Sequence, residues 1–142
     1  MDWISFFDAL RFTNWMNNGQ GNGDTETGAY TLRGGTTVPS NGASVTRNAG
    51  ATIFLASEEE WYKAAYYNAS TASYFDYPAN SDSPRSCSAP TNLANHANCG
   101  YSQFRIPQPV GSYAGSASPY GTYDQGGNLY GGTTRSLPPG RA

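Results

Sequence analysis

The sequence predicts an irregular, loop-rich α+β domain in which two amphipathic helices and a few short strands hold a largely unpatterned chain. Three observations point there. Gly, Ser, Thr, Asn and Pro make up nearly half of the 142 residues while charged residues are only 13%, a mixture that favours turns over long regular elements. Aromatic residues nevertheless reach 14%, with 3 Trp and 11 Tyr, and disordered chains are poor in such residues. Helical periodicity is confined to two segments, each with its own start signal. A chain of this length has room for one domain of ordinary size with a buried core, and a second independent domain is not expected.

The first helix is expected over Ser5 to Asn18, where Phe6, Ala9, Leu10, Thr13 and Met16 recur at helical spacing. Ser5 can cap its first turn, Asp8 complements the helix dipole, and Asn17-Asn18-Gly19 tolerates the left-handed exit. Phe12 and Trp15 widen the apolar face, which predicts packing on two sides. From Gly19 to Gly50 the chain reads as loop, with one short strand or hairpin at Ala29-Tyr30-Thr31-Leu32. Thr52-Ile53-Phe54-Leu55 is β-branched and aromatic and is expected to be a short buried strand. The second helix starts at Ser57-Glu58-Glu59-Glu60, because Ser57 and Glu60 have capping-box spacing and three carboxylates meet the positive end of the dipole. Trp61, Ala64 and Ala65 form its inward face. Beyond Asn68 helical period never returns, and the aromatic clusters around Tyr74–Pro78, Tyr113 and Tyr120–Tyr123 are expected to order by burying their rings.

Charge excludes several function classes. A net charge of −2 and a pI of about 5.1, with cations scattered singly, offer no stripe for a phosphate backbone, so no nucleic-acid partner is expected. Apolar runs fall far short of the roughly 20 residues that span a bilayer, so no membrane partner is expected either. The first residues carry neither the basic nor the sustained apolar stretch of a secretory signal.

Few constellations could carry chemistry. Glu58-Glu59-Glu60 resembles a carboxylate pair or metal site, but capping accounts for acids at that position, and the triplet is assigned to folding. Cys87, His96 and Cys99 are zinc-ligand types, yet a structural zinc needs four ligands and neither a Cys-x-x-Cys pair nor a second histidine is present. A Cys/His nucleophilic dyad lacks an identifiable orienting group. The two thiols are therefore either partly buried or joined in one local disulfide. Ala94-Asn95-His96-Ala97-Asn98 and Asp124-Gln125-Gly126-Gly127-Asn128 present oxygens of the kind calcium accepts, although such loops are more simply turns. The tyrosines could line a saccharide or peptide groove, but they read first as core.

Three segments in order resemble the formylglycine-generating enzyme family, also called the sulfatase-modifying factor domain. Ile4 to Trp15 is similar to its valine-serine-tryptophan-x-aspartate-alanine helix, and Phe54 to Ala65 to its leucine-proline-serine/threonine-glutamate-x-glutamate-tryptophan helix. Val110-Gly111-Ser112-Tyr113 with Ser118 to Asn128 is similar to its approach to a glycine-asparagine-valine-tryptophan-glutamate-tryptophan signature. The resemblance implies a C-type-lectin-like fold, a polypeptide substrate or ligand, and an often periplasmic or secreted location. It also implies an activity, the oxidation of a sulfatase cysteine to formylglycine by a thiolate-bound copper and oxygen.

After Asn128 the chain departs from that pattern, reading Leu129-Tyr130-Gly131-Gly132 where the family has Val-Trp-Glu-Trp. The family's redox cysteines lie beyond the signature, so Cys87 and Cys99 do not match them, the copper ligands are missing and no catalytic residue is assigned. The expectation is a partial, inactive sulfatase-modifying-factor-like domain over residues 1–129, followed by an unrelated or truncated tail over 130–142. The family's calcium-binding asparagines map by position onto Asn98 and Asn128, with Asn95 an alternate for the first; the lost Glu belongs to the second site. The alternative function is a lectin-like module that binds peptide or saccharide, with calcium as a structural ion.

Overall fold

Ser5 closes the first helix at both of its free ends of hydrogen bonding: its hydroxyl accepts from the Asp8 N–H at 3.2 Å and the Asp8 carboxylate accepts from the Ser5 N–H at 3.3 Å. Hydrogen bonding from the Ser5 side chain holds the Asp8 carboxyl below the usual aspartate range. The helix that follows, α1, runs Phe6–Asn17. A computed structural model describes residues 4–99, 106–129 and 133, and the chain divides into two compact units, Met1–Ala56 and Ser57–Ala142.

In the first unit, Leu10 of α1 is buried with Ala29, Tyr30 and Leu32 of the loop, and Phe7, Val45, Ala51 and Leu55 pack against them. The loop is held by side chains. Asn14, fully buried, accepts from the Tyr30 N–H at 2.7 Å through Oδ1 and donates through Nδ2 to the carbonyls of Tyr30 at 3.0 Å and Thr25 at 2.8 Å. The Tyr30 hydroxyl in turn donates to the Leu55 carbonyl and accepts from the Leu55 N–H. Arg11 reaches from α1 to Glu26, 2.7 Å away, and to the Thr36 and Thr37 carbonyls.

These bonds replace two expected strands. Thr52–Leu55 forms no strand, because the Thr52 and Ile53 N–H groups are taken by Asn17 Oδ1 and that of Leu55 by Tyr30. Ile53 and Phe54 are exposed, and Phe54 is covered instead by the Arg47 guanidinium, 3.8 Å above its ring. The segment at Ala29–Leu32 contributes only an isolated bridge, Tyr30 to Arg47, since Asn14 occupies the groups of Tyr30 that a second strand would use. Two-sided packing of α1 is also corrected. Phe12 is 61% exposed and lies against Trp15 with 5.7 Å between ring centroids, so the second apolar stripe packs on itself.

In the second unit, α2 covers Glu58–Tyr66 and opens with the expected capping box of Ser57 and Glu60. Ala65 is fully buried, and Trp61 and Ala64 are half-buried. The chain passes directly into an antiparallel hairpin of β1 (Tyr67–Asn68) and β2 (Ser73–Tyr74), with Tyr67 opposite Tyr74. A second pair, β3 (Ser86–Cys87) and β4 (His96–Ala97), is parallel, with Ser86 opposite His96. The expectation that the aromatic clusters order by burying their rings holds for Tyr113 and not for Tyr74, Tyr120 or Tyr123, which are exposed. Their segments are fixed by polar bonds such as that of Ser118 Oγ with Thr122 Oγ1 at 2.7 Å.

Replacing Asn14 by Ala takes from Tyr30 the two backbone bonds that Asn14 makes, at about 1–3 kcal/mol each. Urea unfolding of Asn14→Ala should therefore show a loss of about 2–6 kcal/mol, whereas Asn22→Ala at an exposed loop position should stay within about 0.5 kcal/mol.

Candidate functional site

The residues singled out for chemistry fall in the second unit, where β3 and β4 meet three loops. Cys87, at the end of β3, forms a disulfide with Cys99, two residues past β4. That joins the parallel pair covalently. Neither sulfur is a thiol in this structure, which removes the Cys/His dyad and the zinc set together. His96, on β4, has its Nδ1 2.9 Å from Ser88 Oγ, and its N–H is held by Ser116 Oγ at 2.9 Å. Among the described residues no three His, Cys, Asp or Glu side chains are grouped as a metal would require.

Asn98 and Asn128, mapped from sequence as calcium ligands, do come together. The Asn128 N–H donates to the Asn98 carbonyl at 2.9 Å, and the approach is so close that a Cβ on Gly127 would lie 2.7 Å from that same oxygen. The Asn128 side chain accepts from the Gln108 N–H at 2.7 Å and donates to the Gln108 carbonyl at 3.0 Å. This pairing fixes its orientation, because a flipped amide would set oxygen against oxygen and N–H against N–H. Asn98 then donates through Nδ2 to Asn128 Oδ1 at 3.3 Å and to the Ile106 carbonyl at 3.1 Å.

The two asparagines consequently differ as cation ligands. Two N–H groups already point at Asn128 Oδ1, and their positive ends oppose a metal there. Asn98 is 7% exposed, and its Oδ1 is buried and accepts no hydrogen bond among the described residues. That buried, unspent oxygen fits a hard cation; Asn128 does not. Asn95, the alternate, repeats the Asn98 pattern: Nδ2 donates to the carbonyls of Ser83 and Pro84, and Oδ1 is buried without a partner. Asn95 and Asn128 both hold the left-handed backbone, at φ 59° and 69°, which asparagine tolerates better than most residues.

Beside Asn95 lies a small cleft walled by Arg85, His96, Tyr113, Ser116 and Asp124. Its water-sized space is about 20 Å³, close to that of one water and far below the roughly 300 Å³ of a small-molecule pocket. Tyr113 is buried and donates its hydroxyl to the Ser88 carbonyl at 2.7 Å; burial, with the Asp124 charge adding, pushes its phenol above the usual value and keeps that donor protonated. Sequence reasoning missed Gln108 and Ser88. Gln108 and Ser88 act through backbone groups with partners 20 and 25 residues away, a relation that leaves no local pattern.

A small, loop-rich, mixed α/β domain with two capped helices and asparagine-fastened loops is the class these features define. A family model described as the sulfatase-modifying factor enzyme 1-like domain matches residues 1–141, and the chain belongs to that family. Neither a curated protein nor a solved structure matches it significantly. The segment 130–142, Thr133 apart, lies outside the described residues, as does any structural statement about the sequence that replaces the family's Trp-Glu-Trp.

The disulfide closes a loop with a sequence separation of 12, for which restriction of the unfolded chain is worth about 3 kcal/mol. Reduction, or replacement of both cysteines by Ser, should lower stability by about that amount in chemical unfolding.

Proposed function

We propose that this chain is a family member without the oxidase chemistry, acting as a polypeptide-binding domain of C-type-lectin-like architecture. The observation that carries the reading is the Cys87–Cys99 bond. The sequence has two cysteines, and the bond takes both, while the thiolate-bound copper and the thiol exchange of the family's oxidising members each need a free thiolate. The architecture is supported by the short strand pairs, the two capped helices and the dominance of loops held by side-chain bonds. Incubating the oxidised and the reduced protein with copper(I), oxygen and a sulfatase-motif peptide should give no formylglycine by mass spectrometry. Aldehyde formation above the protein-free control overturns the reading.

A structural calcium is the second reading, and Asn98 Oδ1 favours it, as a buried oxygen with its amide orientation fixed. In this reading Asn98 is a ligand and Asn128 positions it. Bound calcium would supply a fixed charge beside Asn98, whose amide already ties to the Ile106 carbonyl. Calcium at ten times its dissociation constant should stabilise the protein by about 1.4 kcal/mol, read as a rise in melting temperature. Asn98→Leu, which removes the oxygen, should abolish that rise. No shift of the parent protein at millimolar calcium, or an equal shift in Asn98→Leu, sinks the proposal.

A further inference from the structure

Five aromatic side chains carried by α2 and the β1–β2 hairpin touch in series. Trp61 meets Tyr66 edge-on with 5.9 Å between centroids, Tyr66 stacks on Tyr62 at 4.7 Å, Tyr62 stacks on Tyr74 at 5.2 Å, and Tyr74 leans on Tyr67 at 5.0 Å. Local structure sets the series. Tyr62 and Tyr66 are four residues apart on one helix, and hairpin register places Tyr67 opposite Tyr74. Because the helix ends where β1 begins, Tyr74 is delivered back over α2.

Tyr66 and Tyr74 both stack on Tyr62, tilted only 26° and 25° from its plane. Stacking of this kind takes up ring face that a sugar or planar ligand would need. Both residues of the Tyr62–Tyr74 pair are nevertheless reachable from solvent, Tyr62 at 45% and Tyr74 at 49% exposed. Two stacked, solvent-accessible phenols suit ring oxidation better than ligand stacking.

We propose that Tyr62 and Tyr74 form an oxidative cross-linking site, at which a one-electron oxidant of the peroxidase class joins them as dityrosine and ties α2 covalently to the hairpin. Each phenol gives one electron to the oxidant and one proton to solvent. The two phenoxyl radicals couple through ring carbons ortho to the oxygens, and the two ring protons at those carbons move to the oxygens to restore aromaticity. One hydrogen peroxide takes up the two electrons and two protons and leaves as two waters. Tyr66, although nearer to Tyr62, is half-buried, and burial raises its phenol above the usual value, which opposes loss of its proton. The proposal is independent of the calcium and oxidase readings.

Trypsin cleaves after Arg47, Lys63 and Arg85, so Tyr62 and Tyr74 fall on separate peptides, 48–63 and 64–85. The full chain treated with peroxidase and hydrogen peroxide, and recovered as monomer, should yield these two peptides joined, with dityrosine fluorescence. Tyr62→Phe and Tyr74→Phe keep the stacked rings but remove the phenol, and each should abolish the joined pair, while Tyr66→Phe should retain it. The inference is overturned if monomer whose tyrosines have been consumed contains no 48–63/64–85 pair, or if the pair survives undiminished in Tyr74→Phe.

Discussion

The structure depends on an asparagine amide standing in for a β-strand. Asn14 takes the N–H and the C=O of Tyr30 through its own C=O and NH₂, at 2.7 and 3.0 Å, and Asn128 does the same to Gln108 at 2.7 and 3.0 Å. Each reproduces the two-bond exchange that a residue of an antiparallel partner strand would make. A carboxamide can do this because it carries both a donor and an acceptor in one plane. One such clasp lies in each compact unit, and the long loops stay ordered with few strand pairs to hold them.

Around the clasps, other asparagines and hydroxyls satisfy backbone groups that regular structure would otherwise satisfy. Asn41 spans the Arg33 N–H and the Thr31 carbonyl, Asn17 serves Thr52 and Ile53, and Asn18 serves Asp24 and Thr27. Buried backbone groups must find partners, and the richness in Asn, Ser and Thr supplies them. Composition that suggested loose turns is thus the material of a fixed, irregular fold.

At the candidate site the same chemistry separates two residues that position alone would make equivalent. The clasp consumes the Asn128 oxygen and orients Asn98, leaving Asn98 Oδ1 unspent in a buried position. The disulfide ties β3 to the segment that carries Asn98. A family member built this way has its two cysteines invested in holding these segments together.

Both helix starts were legible in the sequence, because caps are local: Ser57 and Glu60 show the capping box in type and spacing, and Ser5 shows the cap. Asp8 was read only as a dipole partner, though it closes the same exchange. The Thr52–Leu55 strand was misread for want of a partner strand, since β-propensity describes a fit to neighbours that a local segment does not contain. Asn98 and Asn128 could be named from sequence position, but not told apart. By itself the sequence determined where the helices begin, that the rest would be loop, and which family the chain resembles. Tertiary structure decided which asparagine oxygen is spent and which cysteine meets which, because those outcomes depend on groups 12 to 30 residues apart in the chain that only folding brings within bonding distance.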